Sequence, residues 1–162
     1  MIHGAEKSLT DLGDKADENA KKEVEQAISE LKTSMEGDDV TVITWGKITH
    51  MTLDVCQQLA KQNISAEVID LRTLVPLDKE AIFRSVRKTH RAVIVEENWP
   101  FASVGSHISD RIQLHCFDDL DAPIVKVSQE AVPVPYNESL EKIVLPSVQK
   151  IIHAVKTVCY RS

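Results

Sequence analysis

The residues best suited to bond-making chemistry are the adjacent carboxylates Glu96 and Glu97, in the run RAVIVEENWP. Neighbouring residues of a strand point to opposite faces, so the two cannot share one site as an acid–base dyad. One of them is expected to reach a basic partner such as Arg72, which favours a structural or interface ion pair over proton transfer. His115 and Cys116 also adjoin, but successive side chains on a helix diverge, and a thiol in such a pattern is more often core filler than nucleophile. His50, His90, His107 and His153 are dispersed without HExxH spacing, which suits helix surfaces and helix ends rather than a metal. Cys56, Cys116 and Cys159 are odd in number and lack CxxC spacing, so neither a disulfide framework nor a zinc site is expected.

Other loops bear fewer chemical signals. The stretch WGKITHMT from Trp45 has one glycine where a dinucleotide fingerprint needs three, and no GxxxxGK[ST] occurs. In EVIDLRTLVPLDKEAIFRSV, Pro76 fixes a turn, Asp78 caps a helix and Glu80 adds first-turn charge. Arg72 is left as the side chain able to hold a carboxylate across an interface. Trp99, Pro100 and Phe101 put three large groups in one loop, which reads as a lid on the core or, preferably, a contact patch.

These residues are positioned by alternating strands and helices. Runs rich in β-branched residues at 40–45, 66–71, 91–97 and 123–128 predict strands. Between them, Ile48, Met51, Thr52, Val55, Cys56 and Leu59 mark one helix, Ala81, Ile82, Ser85 and Val86 a second, and Val104, Ile108, Ile112 and Leu114 a third. A last helix is expected from about Pro146 to Cys159. The fold class is therefore α/β: three layers, a mostly parallel sheet of four to five strands, and helices on both faces.

Composition divides the chain. Residues 1–39 hold 11 acids against 5 lysines, so the whole net charge of -6 sits there and residues 40–162 are neutral. Ala20, Val24, Ala27, Ile28, Leu31 and Met35 line one face of a helix that Asp17 caps and Gly37 ends, and the residues before Gly13 read as a shorter helix. The expected organisation is an N-terminal helical hairpin over 1–39, which needs a partner surface, followed by an α/β domain over 40–162. Aromatics are only 4%, against nucleic-acid stacking, and no long apolar run argues for a membrane span or secretion signal.

The motifs VIDLRTLVPLD, VEENWP, LDAPIVKVS, VPVPYNESLE, LPSV and VKTVCY, in this order, make residues 40–162 resemble the C-terminal domain of the beta subunit of the pyruvate dehydrogenase decarboxylating component, within the transketolase-like family. Asn98 stands where that family usually has glycine. Residues 1–38, with AEKSLTDLGDK and EVEQAISELKTSMEGDD, resemble the helical lid of DnaK-type heat-shock chaperones, which implies a chimera. The first resemblance implies a noncatalytic assembly domain. Thiamine diphosphate and Mg are bound elsewhere in the parent complex and not by this chain alone. Its implied partners are an alpha subunit, a second beta subunit and the subunit-binding domain of an acyltransferase core, in bacterial cytoplasm or the mitochondrial matrix. By analogy, docking is assigned to Tyr160, Arg161 and Ser162, beside the interface residues Arg72, Glu97, Trp99 and Phe101. A chaperone-derived peptide-binding module and a small enzyme using Glu96 or Glu97 are the alternatives, and a homodimer through hairpins or orphaned interface stays open.

Overall fold

The computed structural model describes residues 37–161; both expected N-terminal helices and Ser162 lie outside them. Four parallel strands form one sheet in the order β2-β1-β3-β4: β1 is Val40–Thr44, β2 Ala66–Asp70, β3 Ala92–Val95 and β4 Val125–Val127. The helices are α1 (Ile48–Ala60), α2 (Lys79–Thr89), α3 (Val104–Cys116), α4 (Glu138–Val144) and α5 (Val148–Val158).

Alternation along the strands builds the layers. The register sets Val68, Val42, Val93 and Val125 in one row and Ile69, Ile43, Ile94 and Lys126 in the next. The valine row packs with α1 and α5, burying Val55, Leu59, Ile151, Val155 and Val158. Ile43 and Ile94 pack on the other face with Ile82, Phe83 and Val86 of α2 and Ile108 and Ile112 of α3. A strand covered on both faces must be apolar at nearly every position, which is why β1 and β3 are buried throughout. Of the two buried hydroxyls in β1, Thr41 Oγ1 lies 2.7 Å from both Ser85 Oγ and Thr89 Oγ1 of α2, whereas Thr44 Oγ1 has no hydrogen-bond partner.

Helix ends follow their capping residues. Asp78 accepts from the Ala81 amide at 3.0 Å and Glu80 sits in the first turn of α2, as read from the sequence. Replacing Asp78 by alanine should cost about 1 kcal/mol, and by asparagine far less; urea unfolding of the two variants measures the difference. His90 closes α2 in the left-handed conformation (φ 61°), with Nδ1 2.8 Å from the Asp119 carbonyl. It is the helix-end histidine that its spacing allowed, while His50, His107 and His153 are exposed on α1, α3 and α5.

Three boundaries differ from expectation. β4 is only three residues long, shorter than the run 123–128 suggested. α5 begins at Val148 because the Ser147 hydroxyl accepts from the Lys150 amide, leaving Pro146 outside the helix. α4 was not anticipated: Asn137 caps it through the Ser139 and Leu140 amides.

Candidate functional site

In a parallel sheet the loops after the strand carboxyl ends gather at one edge, where ligands and partners are usually met. Glu96 follows β3 there and is fully buried. Its Oε1 accepts from Ser103 Oγ at 2.5 Å and from Ser128 Oγ at 3.3 Å, and its Oε2 accepts from the Gly105 amide at 3.0 Å. Ser103 is also the N-cap of α3, accepting from the Ser106 amide at 3.1 Å. The carboxylate therefore sits at the positive end of a 13-residue helix dipole and ties β3, β4 and α3 together. Lys126 Nζ extends the network, donating to Ser106 Oγ at 2.5 Å and to the Pro100 carbonyl at 2.9 Å.

This arrangement corrects the pairing with Arg72. Arg72 Nε binds Asp70 Oδ2 at 2.6 Å instead, on the other side of the sheet, and its side chain is 58% exposed. Glu96 is held by two hydroxyls and an amide rather than by a cation, because α3 brings its first turn over the carboxylate. Both oxygens are taken by buried or part-buried donors, so neither faces a cleft that substrate could enter. Glu97 is exposed, so the two carboxylates are apart as expected, although both lie just beyond β3, where strand alternation is not the cause.

The two loops beside this closed network expose apolar side chains among polar ones. Phe101 is 81% exposed and Trp99 40%, so the loop does not fold back as a lid on the core. Beyond β4, Val132, Val134, Tyr136, Leu140 and Ile143 are also exposed, and the Gln129 amide bonds the Asn98 carbonyl, joining the two loops. Asn98 is not among the residues with positive φ, so this loop makes no demand for glycine there; Ala102 takes the left-handed turn instead (φ 53°).

Tyr160 and Arg161 lie at the opposite end of the sheet. Tyr160 Oη donates to the Asp121 carbonyl at 3.0 Å and Arg161 Nη1 to the Asn63 carbonyl at 3.0 Å, both near the strands' amino ends. The expected interface residues thus form two groups: Arg72, Glu97, Trp99 and Phe101 at the carboxyl ends, and Tyr160 with Arg161 at the amino ends. Ser162 lies outside the described residues.

Among the described residues, no group of three or more histidine, cysteine or acidic side chains could hold a metal, and no helix is long and apolar enough to cross a membrane. The three thiols are free. Burial pushes the Cys56 thiol up to about 12 and raises Cys116 and Cys159 as well. A buried thiol with a raised pKa keeps its proton when the unfolded chain has lost it. The stabilisation is therefore full below about pH 9 and is lost as pH rises toward 12. Iodoacetamide at pH 8 should leave Cys56 unmodified in the native protein and modify it in urea, as read by mass spectrometry of its peptide.

Residues 29–151 match the family described as transketolase, C-terminal domain. The chain is 48% identical over 133 residues to the pyruvate dehydrogenase E1 component subunit beta of Rickettsia felis, covering 82% of this chain and 41% of that protein. It is 40% identical over 149 residues to the mitochondrial subunit of the same name from Dictyostelium discoideum, covering 92% of this chain and 42% of the relative. The chain thus spans about two fifths of the length of the curated relatives it matches. Among solved structures, a split-gene transketolase described as an inactive beta4 tetramer superimposes with a TM-score of 0.67 at 27% identity, over 78% of this chain and 40% of that one. A 2-oxoglutarate:ferredoxin oxidoreductase from Magnetococcus marinus shares the fold at 16% identity and a TM-score of 0.52, over 76% of this chain and 18% of that one. By sequence match, strand order and layer arrangement, this chain belongs to the transketolase C-terminal domain family.

Proposed function

We propose that the chain is a noncatalytic assembly and docking unit from the beta subunit of a thiamine-diphosphate-dependent pyruvate dehydrogenase. The observation that supports this most is the pairing of a sealed carboxylate with an exposed apolar rim. Glu96 spends its oxygens on Ser103, Gly105 and Ser128, while Trp99 and Phe101 on the loop after β3, and Val132, Val134 and Tyr136 on the segment after β4, are exposed. Apolar groups gathered at one edge are what a subunit boundary needs and what an isolated domain avoids.

On this reading the rim meets an alpha subunit and a second beta subunit, and Tyr160, Arg161 and Ser162 meet the subunit-binding domain of an acyltransferase core. Arg72 and Glu97 supply polar contacts at the edge. The parent complex would work in bacterial cytoplasm or the mitochondrial matrix. The described residues do not fit thiamine diphosphate on their own: the loop after β1 has one glycine, and the buried carboxylate is already saturated. No chemical step is therefore routed through that cofactor or its Mg.

Titrating the chain with a purified pyruvate dehydrogenase alpha subunit tests the assembly reading by sedimentation. Saturable association, weakened about tenfold or more by Phe101→Asp, is expected, since burying a phenylalanine is worth roughly 1.5–3 kcal/mol. No association with the alpha subunit would sink it. The likeness of residues 1–38 to a chaperone lid is part of the same proposal, as a statement of origin. Saturable peptide binding abolished by deleting those residues would promote the peptide-binding alternative.

A further inference from the structure

The sheet register puts Lys126 in the isoleucine row, beside Ile94, on the face that α2 and α3 cover. An apolar residue is the ordinary choice there, so the ammonium needs a reason. Its Nζ donates to the Pro100 carbonyl at 2.9 Å and to Ser106 Oγ at 2.5 Å. Ser106 Oγ lies 3.2 Å from Ser103 Oγ, which in turn donates to Glu96. The hydrogens run one way, from ammonium through two hydroxyls to the buried carboxylate.

The loop between β3 and α3 is fastened through these groups. Before it, the Asn98 carbonyl accepts from the Gln129 amide at 3.3 Å; within it, Lys126 holds Pro100; after it, Glu96 holds Ser103. Ala102, between the last two, has φ 53°, a left-handed conformation that a residue with a Cβ keeps only where its neighbours enforce it. Phe101, between Pro100 and Ala102, is nonetheless 81% exposed. Its backbone is fixed on both sides while its ring stays in solvent. Ordering a loop on binding weakens a complex, and a loop ordered beforehand avoids that loss.

We propose that Lys126 is a positioning residue that presets this loop, presenting Phe101 as a rigid anchor for an apolar pocket on the alpha subunit. The identity of the partner rests on the assembly reading above; the restraint on the loop does not. The pocket it fits is the size of one aromatic ring, because Phe101 is the most exposed aromatic of a loop whose backbone is otherwise tied down.

Lys126→Met keeps the apolar stem and removes the donor. Ser106 still has Ser103 as its partner, so the variant should fold with a urea midpoint close to the parent's. Chymotrypsin digestion of the native full chain, read by mass spectrometry, should cut after Phe101 about tenfold faster in the variant, while cleavage after the fully exposed Tyr136 keeps the parent rate. Sedimentation titration with the alpha subunit should show binding about tenfold weaker. In the Phe101→Ala background the same substitution should weaken it no further, because Lys126 acts through that ring. Equal cleavage after Phe101 in variant and parent overturns the proposal, as does a parallel rise after Tyr136, which would mean general loosening, or binding losses that simply add. If the parent chain does not bind the alpha subunit, the assembly reading falls and this partner with it, while the cleavage ratio still decides whether Lys126 sets the loop.

Discussion

Replacing Glu96 by alanine is expected to destabilise the domain by about 3–5 kcal/mol, the largest effect of any single polar substitution here. The carboxylate accepts from Ser103 Oγ, Ser128 Oγ and the Gly105 amide, and it is fully buried. Each hydrogen bond to a charged group is worth roughly 1.5–3 kcal/mol, and alanine leaves all three donors facing a void. Partial collapse and entering water keep the loss below the simple sum. Glutamine keeps the shape but turns an amide NH₂ toward one of the donors, so Glu96→Gln should cost about 1–2 kcal/mol. Urea unfolding followed by circular dichroism measures both. An alanine variant within 1 kcal/mol of the parent would mean that the network is dispensable.

Gly105→Ala supplies the second large effect, with a sign that runs against helix propensity. Alanine in a helix interior normally gains about 1 kcal/mol over glycine. At this position the new Cβ would lie 2.5 Å from Glu96 Oε1 and 2.7 Å from its carboxyl carbon, closer than such atoms can approach. The carboxylate must move and surrender the amide bond, so the expected net cost is about 2 kcal/mol. In the Glu96→Ala background the obstruction is gone, and Gly105→Ala should become neutral or stabilising by up to about 1 kcal/mol. The double-mutant cycle therefore expects a coupling of about 2 kcal/mol or more. Additive costs would contradict the contact.

Much of the scaffold was legible because sequence period and burial coincide. The runs at β1 and β3 are short, β-branched and nearly continuous, as strands covered on both faces must be, and the edge strand β2 keeps the pattern with Glu67 and Asp70 half-buried. The helix faces of α1, α2 and α3 were marked by residues that are now buried, among them Val55, Leu59, Ile82, Val86, Ile108 and Ile112. α4 was missed because it has seven residues and buries only Val144, too little for a period to register; its signal was the cap, Asn137 followed by Glu138.

The candidate site was less legible. Glu96 and Glu97 were kept apart as expected, but both lie past the end of β3 rather than within it, and the partner of Glu96 was sought among cations. Its donors are Ser103 and Gly105, which only the turn into α3 brings back, and Ser128, 32 residues away just after β4. A serine two residues before a helix glycine was the available clue to a crowded helix start. That Tyr160 and Arg161 stand apart from Trp99 and Phe101 has a topological reason. A helix that follows a parallel strand runs back to the amino end, so the terminus of α5 lies across the sheet from the loop after β3.

The most direct measurement is pyruvate-dependent reduction of an electron-accepting dye by the purified chain, supplied with thiamine diphosphate and Mg²⁺ and nothing else. If residues 37–161 are the noncatalytic unit proposed, the rate should equal the protein-free blank, and calorimetry under the same conditions should detect no saturable cofactor binding. Turnover above the blank by this polypeptide alone would contradict the account.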